Sequence, residues 1–129
     1  MKRILLVENN PRLRKGIRNL LEKRGFIIIE VQDFEKTLEL SQINQWLNVS
    51  NVAIISLEIP EILRSNLLSA LKNFNHHNIL PIFTTTEDDL EVIKKVNGLN
   101  GLDVMEKPFS FKEVIERIES YFRNHEVSM

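Results

Sequence analysis

Six polar side chains fall where apolar runs give way to loops: Glu8, Asn9, Ser56, Glu58, Thr86 and Lys107. Between them they offer two carboxylates, an amide, two hydroxyls and an ammonium. A serine hydroxyl is a poor nucleophile unless a base stands beside it. A lysine can balance one carboxylate, and a Lys–Glu pair keeps a pocket nearly neutral without an added ion. Each residue also has a plainer reading. Ser56 is small enough simply to end a strand. Thr86 closes a run of three threonines, a residue common in strands. Glu58 reads as a solvated loop side chain, and Lys107 as a solvated lysine before a proline. The pair His76-His77 invites a metal or a proton, but it falls in a loop on the other side of the expected sheet and reads as surface. Trp46 reads as a packing residue.

The elements that must position these residues follow from hydrophobic spacing. Arg3–Val7 is a first strand. Pro11 suits the first turn of a helix, and Leu13, Ile17, Leu20 and Leu21 recur at helical spacing to Lys23. Gly25 fits the position just past a helix end. Phe26–Val31 is a second strand, and Asp33 an N-cap for a second helix with Phe34, Leu38, Ile43, Trp46 and Leu47 on its apolar face. Val52–Ser56 reads as a buried parallel strand. A third helix is expected over Ile62–Phe74, a fourth strand over Ile79–Thr85, a fourth helix over Asp88–Asn97 facing inward through Leu90, Ile93 and Val96, and a fifth strand over Leu102–Glu106. Ser110 and Glu113 form a capping box for a fifth helix that buries Phe111, Val114, Ile115, Ile118 and Phe122. Strand and helix alternate five times, which implies an α/β fold: a doubly wound parallel sheet with right-handed crossovers. Ligands of such sheets sit beyond the carboxyl ends of the strands. The loops Glu8–Asn10, Ser56–Glu61, Thr85–Glu87 and Glu106–Phe109 all belong to that rim.

Composition narrows the classes. The 129 residues fit one domain of ordinary size, and the net charge of −1, from 17 basic and 18 acidic residues, argues against a nucleic-acid partner held by charge. There is no cysteine, hence no disulfide and no thiolate metal site. No apolar run approaches the ~20 residues that span a bilayer. Met1–Val7 lacks the long apolar region and cleavage site of a signal peptide, so a cytoplasmic protein without membrane contact is expected. The four glycines form no G-x-G-x-x-G run.

With these elements in place, the chain resembles a response-regulator receiver domain of two-component signalling. The resemblance rests on Ile4-Leu5-Leu6-Val7 before a polar pair, a strand ending four residues before Pro60, Pro81-Ile82-Phe83 leading to Thr86, and Lys107-Pro108-Phe109. It implies a single flavodoxin-like (βα)5 domain over 1–124 with sheet order 2-1-3-4-5, a short tail at 125–129, and a cis Lys107–Pro108 bond. In that family a magnesium ion is held by oxygen ligands, an aspartate accepts a phosphoryl group, and a Thr or Ser with a Lys contacts the phosphoryl oxygens. Thr86 and Lys107 match that last pair.

Other positions depart from the pattern. Glu8 and Asn9 replace the acidic pair after the first strand, and Ser56 replaces the acceptor aspartate. Val104 stands where an aromatic side chain often swings on activation, and valine is stiff and small. Arg64 replaces a glycine after the loop proline. The resemblance with these departures implies a degenerate phosphorylation site at Ser56, Glu8, Asn9, Glu58, Thr86 and Lys107, in which Lys107 pairs with Glu8 or Glu58. It implies an atypical receiver, not an enzyme, with no cofactor and with magnesium binding weak or lost. Its work would be to bind a protein: a histidine kinase, an output protein or a second copy. The expected partner face, formed by the fourth helix, fifth strand and fifth helix, carries Lys94, Lys95, Val104, Glu106 and Lys112. The alternative is a phosphorylatable receiver that uses Glu8 or Ser56 as acceptor.

Overall fold

Five strands form one parallel sheet in the order β2-β1-β3-β4-β5 in the computed structural model, which describes residues 2–32, 40–73, 79–86 and 103–126. They are β1 (Arg3–Val7), β2 (Ile27–Glu30), β3 (Val52–Ser56), β4 (Leu80–Thr85) and β5 (Asp103–Glu106). The helices among the described residues are α1 (Pro11–Lys23), α2 (Leu40–Asn48), α3 (Glu61–Asn73) and α4 (Phe111–Glu126), the last being the fifth helix of the sequence pattern. This is the flavodoxin-like arrangement the resemblance implies. The positions Asp33, Phe34, Leu38, His76, His77, Leu90, Ile93, Val96, Lys94 and Lys95, and with them the expected fourth helix, lie outside the described residues.

Both faces of the sheet are buried. Successive side chains of a strand point to opposite faces, so each apolar run divides between two layers. Leu5, Val7, Ala53, Ile55 and Phe83 pack with Ile43 and Leu47 of α2 and Leu63 and Leu67 of α3. Ile4, Leu6, Val52, Ile54, Ile82 and Met105 pack with Ile17 and Leu21 of α1 and Val114, Ile118 and Phe122 of α4. Trp46 packs, half-buried, against the first layer, as its sequence reading holds. All five residues of β3 are buried, as a central parallel strand requires.

The helix ends are fixed locally. The Asn10 side chain accepts from the Arg12 and Leu13 amides at 3.1 Å each and caps α1. At the other end Gly25 has φ +90°, a value that favours glycine. There the Gly25 amide donates to Glu22 and the Phe26 amide to Leu21, which together make a Schellman close. The Ser110 hydroxyl accepts from the Glu113 amide at 3.1 Å. The Glu113 carboxylate turns instead to Arg117, 3.0 Å away, so only half of the expected capping box forms.

Several boundaries move. β2 is shorter than Phe26–Val31 by one residue at each end, because Phe26 is taken into the α1 close and packs in the α4 layer. The last helix runs to Glu126. Phe111, expected in the core from its spacing, is 42% exposed. Its ring lies across α1 at Gly16, where a Cβ would come within 2.7 Å of the ring tip. Gly16 thus gives the two helices their close approach, and Phe111 caps that contact from outside. The Lys107–Pro108 bond is cis, as the resemblance implies.

Candidate functional site

β1, β3 and β5 end at one rim of the sheet, with β4 between β3 and β5, and the loops that follow them converge. Lys107 comes directly after β5, and its backbone amide donates to the Thr85 carbonyl at 2.7 Å, which extends the β4–β5 pairing by one bond. Its side chain then reaches back across the rim. Nζ lies 2.9 Å from Glu8 Oε1 and 3.3 Å from Glu58 Oε1, and donates to Ser56 Oγ at 3.1 Å. One ammonium, with its three donors, thus ties together the ends of β1, β3 and β5. The expectation that Lys107 pairs with Glu8 or Glu58 is met by both carboxylates at once.

The partners differ in burial. Glu8 is 2% exposed and Lys107 16%, whereas Glu58 is 35% exposed. The Glu8–Lys107 pair is therefore poorly screened, and the Glu58 contact has the modest worth of a surface pair. Glu8 is fixed further by the Asn10 amide, which donates to its Oε2 at 2.9 Å. Ser56 is fully buried, and its Oγ also accepts from the Glu58 amide at 3.2 Å. A lysine ammonium is all donor and no acceptor, so the site gives the Ser56 hydroxyl no base through Lys107.

The other positions take different places. The Asn9 amide donates to the Glu58 carbonyl at 3.2 Å and joins the first loop to the third. Thr86 follows β4 directly and is half-buried, its carbonyl accepting from the Thr85 hydroxyl at 3.1 Å. Val104 is half-buried against the core, and its carbonyl accepts from Arg117 at 3.2 Å. Glu106 and Lys112 are exposed; Lys112 lies 3.8 Å from Glu116 on its own helix.

Five residues beyond the expected set also bear on the rim. Arg14 donates to the Glu8 carbonyl at 3.0 Å, and its Nε lies 2.7 Å from Glu30, which Arg18 also reaches at 2.9 Å. The signal was present in the sequence: one acid in the apolar run of β2, and two arginines four apart on α1. Arg64, read only as a missing glycine, donates to the Leu57 carbonyl at 2.9 Å and fastens the third loop to α3. Thr84 pairs in register with Ser56, and its buried hydroxyl has no hydrogen-bond partner among the described residues. An orphaned buried hydroxyl costs about 1–3 kcal/mol. Thr84→Val is therefore expected to raise the unfolding free energy by about 1 kcal/mol, read from urea unfolding at constant slope.

Magnesium takes oxygen ligands in a near-octahedral set. Here both Glu8 oxygens are engaged, Glu58 faces Lys107, and Ser56 Oγ already accepts twice. Among the described residues no group of three or more His, Cys, Asp or Glu is placed to hold a metal ion. In this arrangement the donors do not fit a divalent cation, because an ammonium already serves them. Among the described residues, too, no helix is long and apolar enough to cross a membrane.

A family model described as the response regulator receiver domain matches residues 4–119. The transcriptional regulatory protein CrdR of Helicobacter pylori is 23% identical over 128 residues, which cover 99% of this chain and 58% of that protein. The transcriptional regulatory protein HprR of Escherichia coli K12 is 27% identical over 125 residues, 95% of this chain and 52% of that protein. The chain thus spans little more than half the length of these relatives. Among solved structures, a response regulator receiver domain protein from Clostridium thermocellum superposes with a TM-score of 0.76 at 19% identity, covering 100% of both chains. The receiver domain of the Francisella response regulator 1452 gives 0.74 at 19% identity, covering 96% of this chain and 98% of that one. At such identity these two likenesses speak for the fold.

Proposed function

This chain belongs to the response regulator receiver domain family of two-component signalling, and on that premise we propose that it is an atypical member acting as a phosphorylation-independent protein-interaction module. The observation that carries this reading is the engagement of Lys107 with Glu8, Glu58 and Ser56 at once. The lysine that in the family contacts phosphoryl oxygens is here committed to the protein's own carboxylates. The acceptor position offers a hydroxyl to which Lys107 supplies no base.

On this reading the rim is locked in one state, magnesium binds weakly or not at all, and the domain is not an enzyme. Its work is to present a surface, in the cytoplasm, to a histidine kinase, an output protein or a second copy. Val104 supports a fixed surface, since a small, half-buried side chain packed on the core has no swing to make. Glu106 and Lys112 stand exposed on the described part of that face.

The test is incubation with acetyl phosphate and magnesium, followed by intact mass measurement, with a beryllofluoride titration followed by backbone-amide NMR. The expected outcome is no gain of a phosphoryl group and no movement of the amides around Ser56, Thr86 and Lys107. A phosphoryl group mapped to Glu8 or Ser56 would replace this reading with that of a phosphorylatable receiver using an unusual acceptor.

A further inference from the structure

At the amino ends of the strands, a cleft of about 550 Å³ is lined by residues of β1, of the edge strand β2 and of the segment joining α2 to β3. That volume lies within the usual range of small-molecule sites, roughly 300–1,000 Å³. Its walls are aliphatic. Ile27 is 39% and Val49 46% exposed, two of the four large hydrophobic side chains that stand exposed among the described residues. Ile29 continues the wall toward the core. Contiguous exposed apolar surface is a mark of ligand-binding and interaction sites. Two hydrogen-bond donors in the same cleft are unanswered. The half-buried Arg3 is tied to Asn51 through its backbone: its amide donates to Asn51 Oδ1 at 2.9 Å, and its carbonyl accepts from the Asn51 amide at 2.8 Å. The Arg3 guanidinium has no hydrogen-bond or ion-pair partner among the described residues. Asn51 is held by its side-chain oxygen, which leaves its Nδ2 without a partner among the described residues as well. No carboxylate among the described residues lines the cleft. The dipole at the carboxyl end of α2 favours a cation nearby. It does not account for Asn51 Nδ2, a neutral donor in the same place.

We propose that this cleft binds a small aliphatic carboxylate, its charged end on Arg3 and Asn51 and its chain along Ile27, Ile29 and Val49. One guanidinium without an answering acid matches a monoanion. Its planar fork fits both oxygens of a carboxylate, and Asn51 Nδ2 adds a neutral hydrogen bond. The aliphatic walls take a hydrocarbon chain; a sugar or a base would bring polar groups that they leave unsatisfied. The cleft and the Ser56 rim lie at opposite ends of the strands, so this assignment is independent of whether the rim accepts phosphate.

The test is an amide NMR titration of the whole chain with sodium hexanoate, and separately with sodium acetate and 1-hexanol. Ionic strength is held constant with sodium chloride, because exposed charges are screened by salt. With hexanoate, saturable shifts are expected at Arg3, Ile27, Ile29, Val49 and Asn51, with a Kd of about 1 mM. Acetate lacks the chain and hexanol lacks the charge, and each is expected to bind about tenfold more weakly or less. Arg3→Gln is expected to weaken hexanoate binding about tenfold. Val49→Glu changes an exposed position outside the strands and helices. It is expected to abolish binding by like charge while the amides of β3 and β4 stay in place, which keeps the result readable without Arg3→Gln. Shifts that fail to saturate, that hexanol matches in affinity, or that Val49→Glu leaves unchanged overturn the assignment. Acetate binding as tightly as hexanoate overturns the role of the aliphatic walls, and with it the ligand class.

Discussion

Lys107→Met should lower the unfolding free energy by about 3 kcal/mol and the melting temperature by roughly 10 °C. The substitution keeps the length and apolar stem of the side chain and removes its charge. Glu8 would then hold a carboxylate at 2% exposure with, among the described residues, only the Asn10 backbone amide to stabilise it. Removing one member of a buried pair costs far more than the pair contributes in net, since the remaining charge is desolvated and unanswered. Adding Glu8→Gln to Lys107→Met should therefore recover much of the loss, with a coupling energy of about 2 kcal/mol in a double-mutant cycle. Glu58→Gln alone should cost under about 1 kcal/mol, because its partner contact is partly solvated. Urea unfolding of five proteins decides the matter: the parent, Lys107→Met, Glu8→Gln, the double variant and Glu58→Gln. A Lys107→Met chain as stable as its parent would mean that the contact contributes nothing, and the locked-rim reading would fall.

Ser56→Asp should make the fold depend on magnesium. Ser56 has no exposed surface. An aspartate there would be a third carboxylate beside Glu8 and Glu58, with one ammonium among them. Like charges in one site oppose ionisation of each other, and the variant is expected to lose about 2 kcal/mol of stability in the presence of a chelator. A divalent ion answers that excess, and at a magnesium concentration of 100 times Kd it would return about 2.7 kcal/mol. The parent chain should melt at the same temperature with and without magnesium. Thermal melts of both proteins across a magnesium series make the comparison. A parent whose melting point climbs with magnesium would show that its donors accept the ion after all.

Much of this was legible in the residues. β1 and β3 have the bounds their apolar runs give, and the helical spacing of Ile17 and Leu21, or of Val114, Ile118 and Phe122, marks the faces that are buried. The sheet order came through resemblance; alternation alone states only that the strands are parallel. Phe111 was misplaced because periodicity reports which face of a helix turns inward, not what awaits it there, and α1 presents a glycine with no side chain to cover the ring. At the rim, the residue types and a pair of Lys107 with Glu8 or Glu58 were legible, but the engagement of both carboxylates and Ser56 at once was not. The choice of Lys107 among Glu8, Glu58 and Ser56 depends on loop closure over long separations, 51 residues in the case of Ser56, which local pattern does not encode. Arg64 shows the same limit. Its gain of a bond to the Leu57 carbonyl depends on the path of the loop, while the sequence displayed only a departure from a glycine.

The complete burial of β3 bears on how such a chain can change over generations. Its interior positions are enclosed by two layers of helices, and truncating any of the large ones would cost about 2–5 kcal/mol. Selection for folding therefore holds them apolar whatever the domain does. Ser56 stands at the last position of that strand, where the chain leaves the enclosed layer and the neighbours become polar. A substitution there alters charge and chemistry while the packed interior stays as it was. Interior packing and the chemistry of the rim are thus inherited through separate residues. A lineage of such domains can lose a reactive group, keep its architecture and its binding surfaces, and persist as a shape that other proteins recognise.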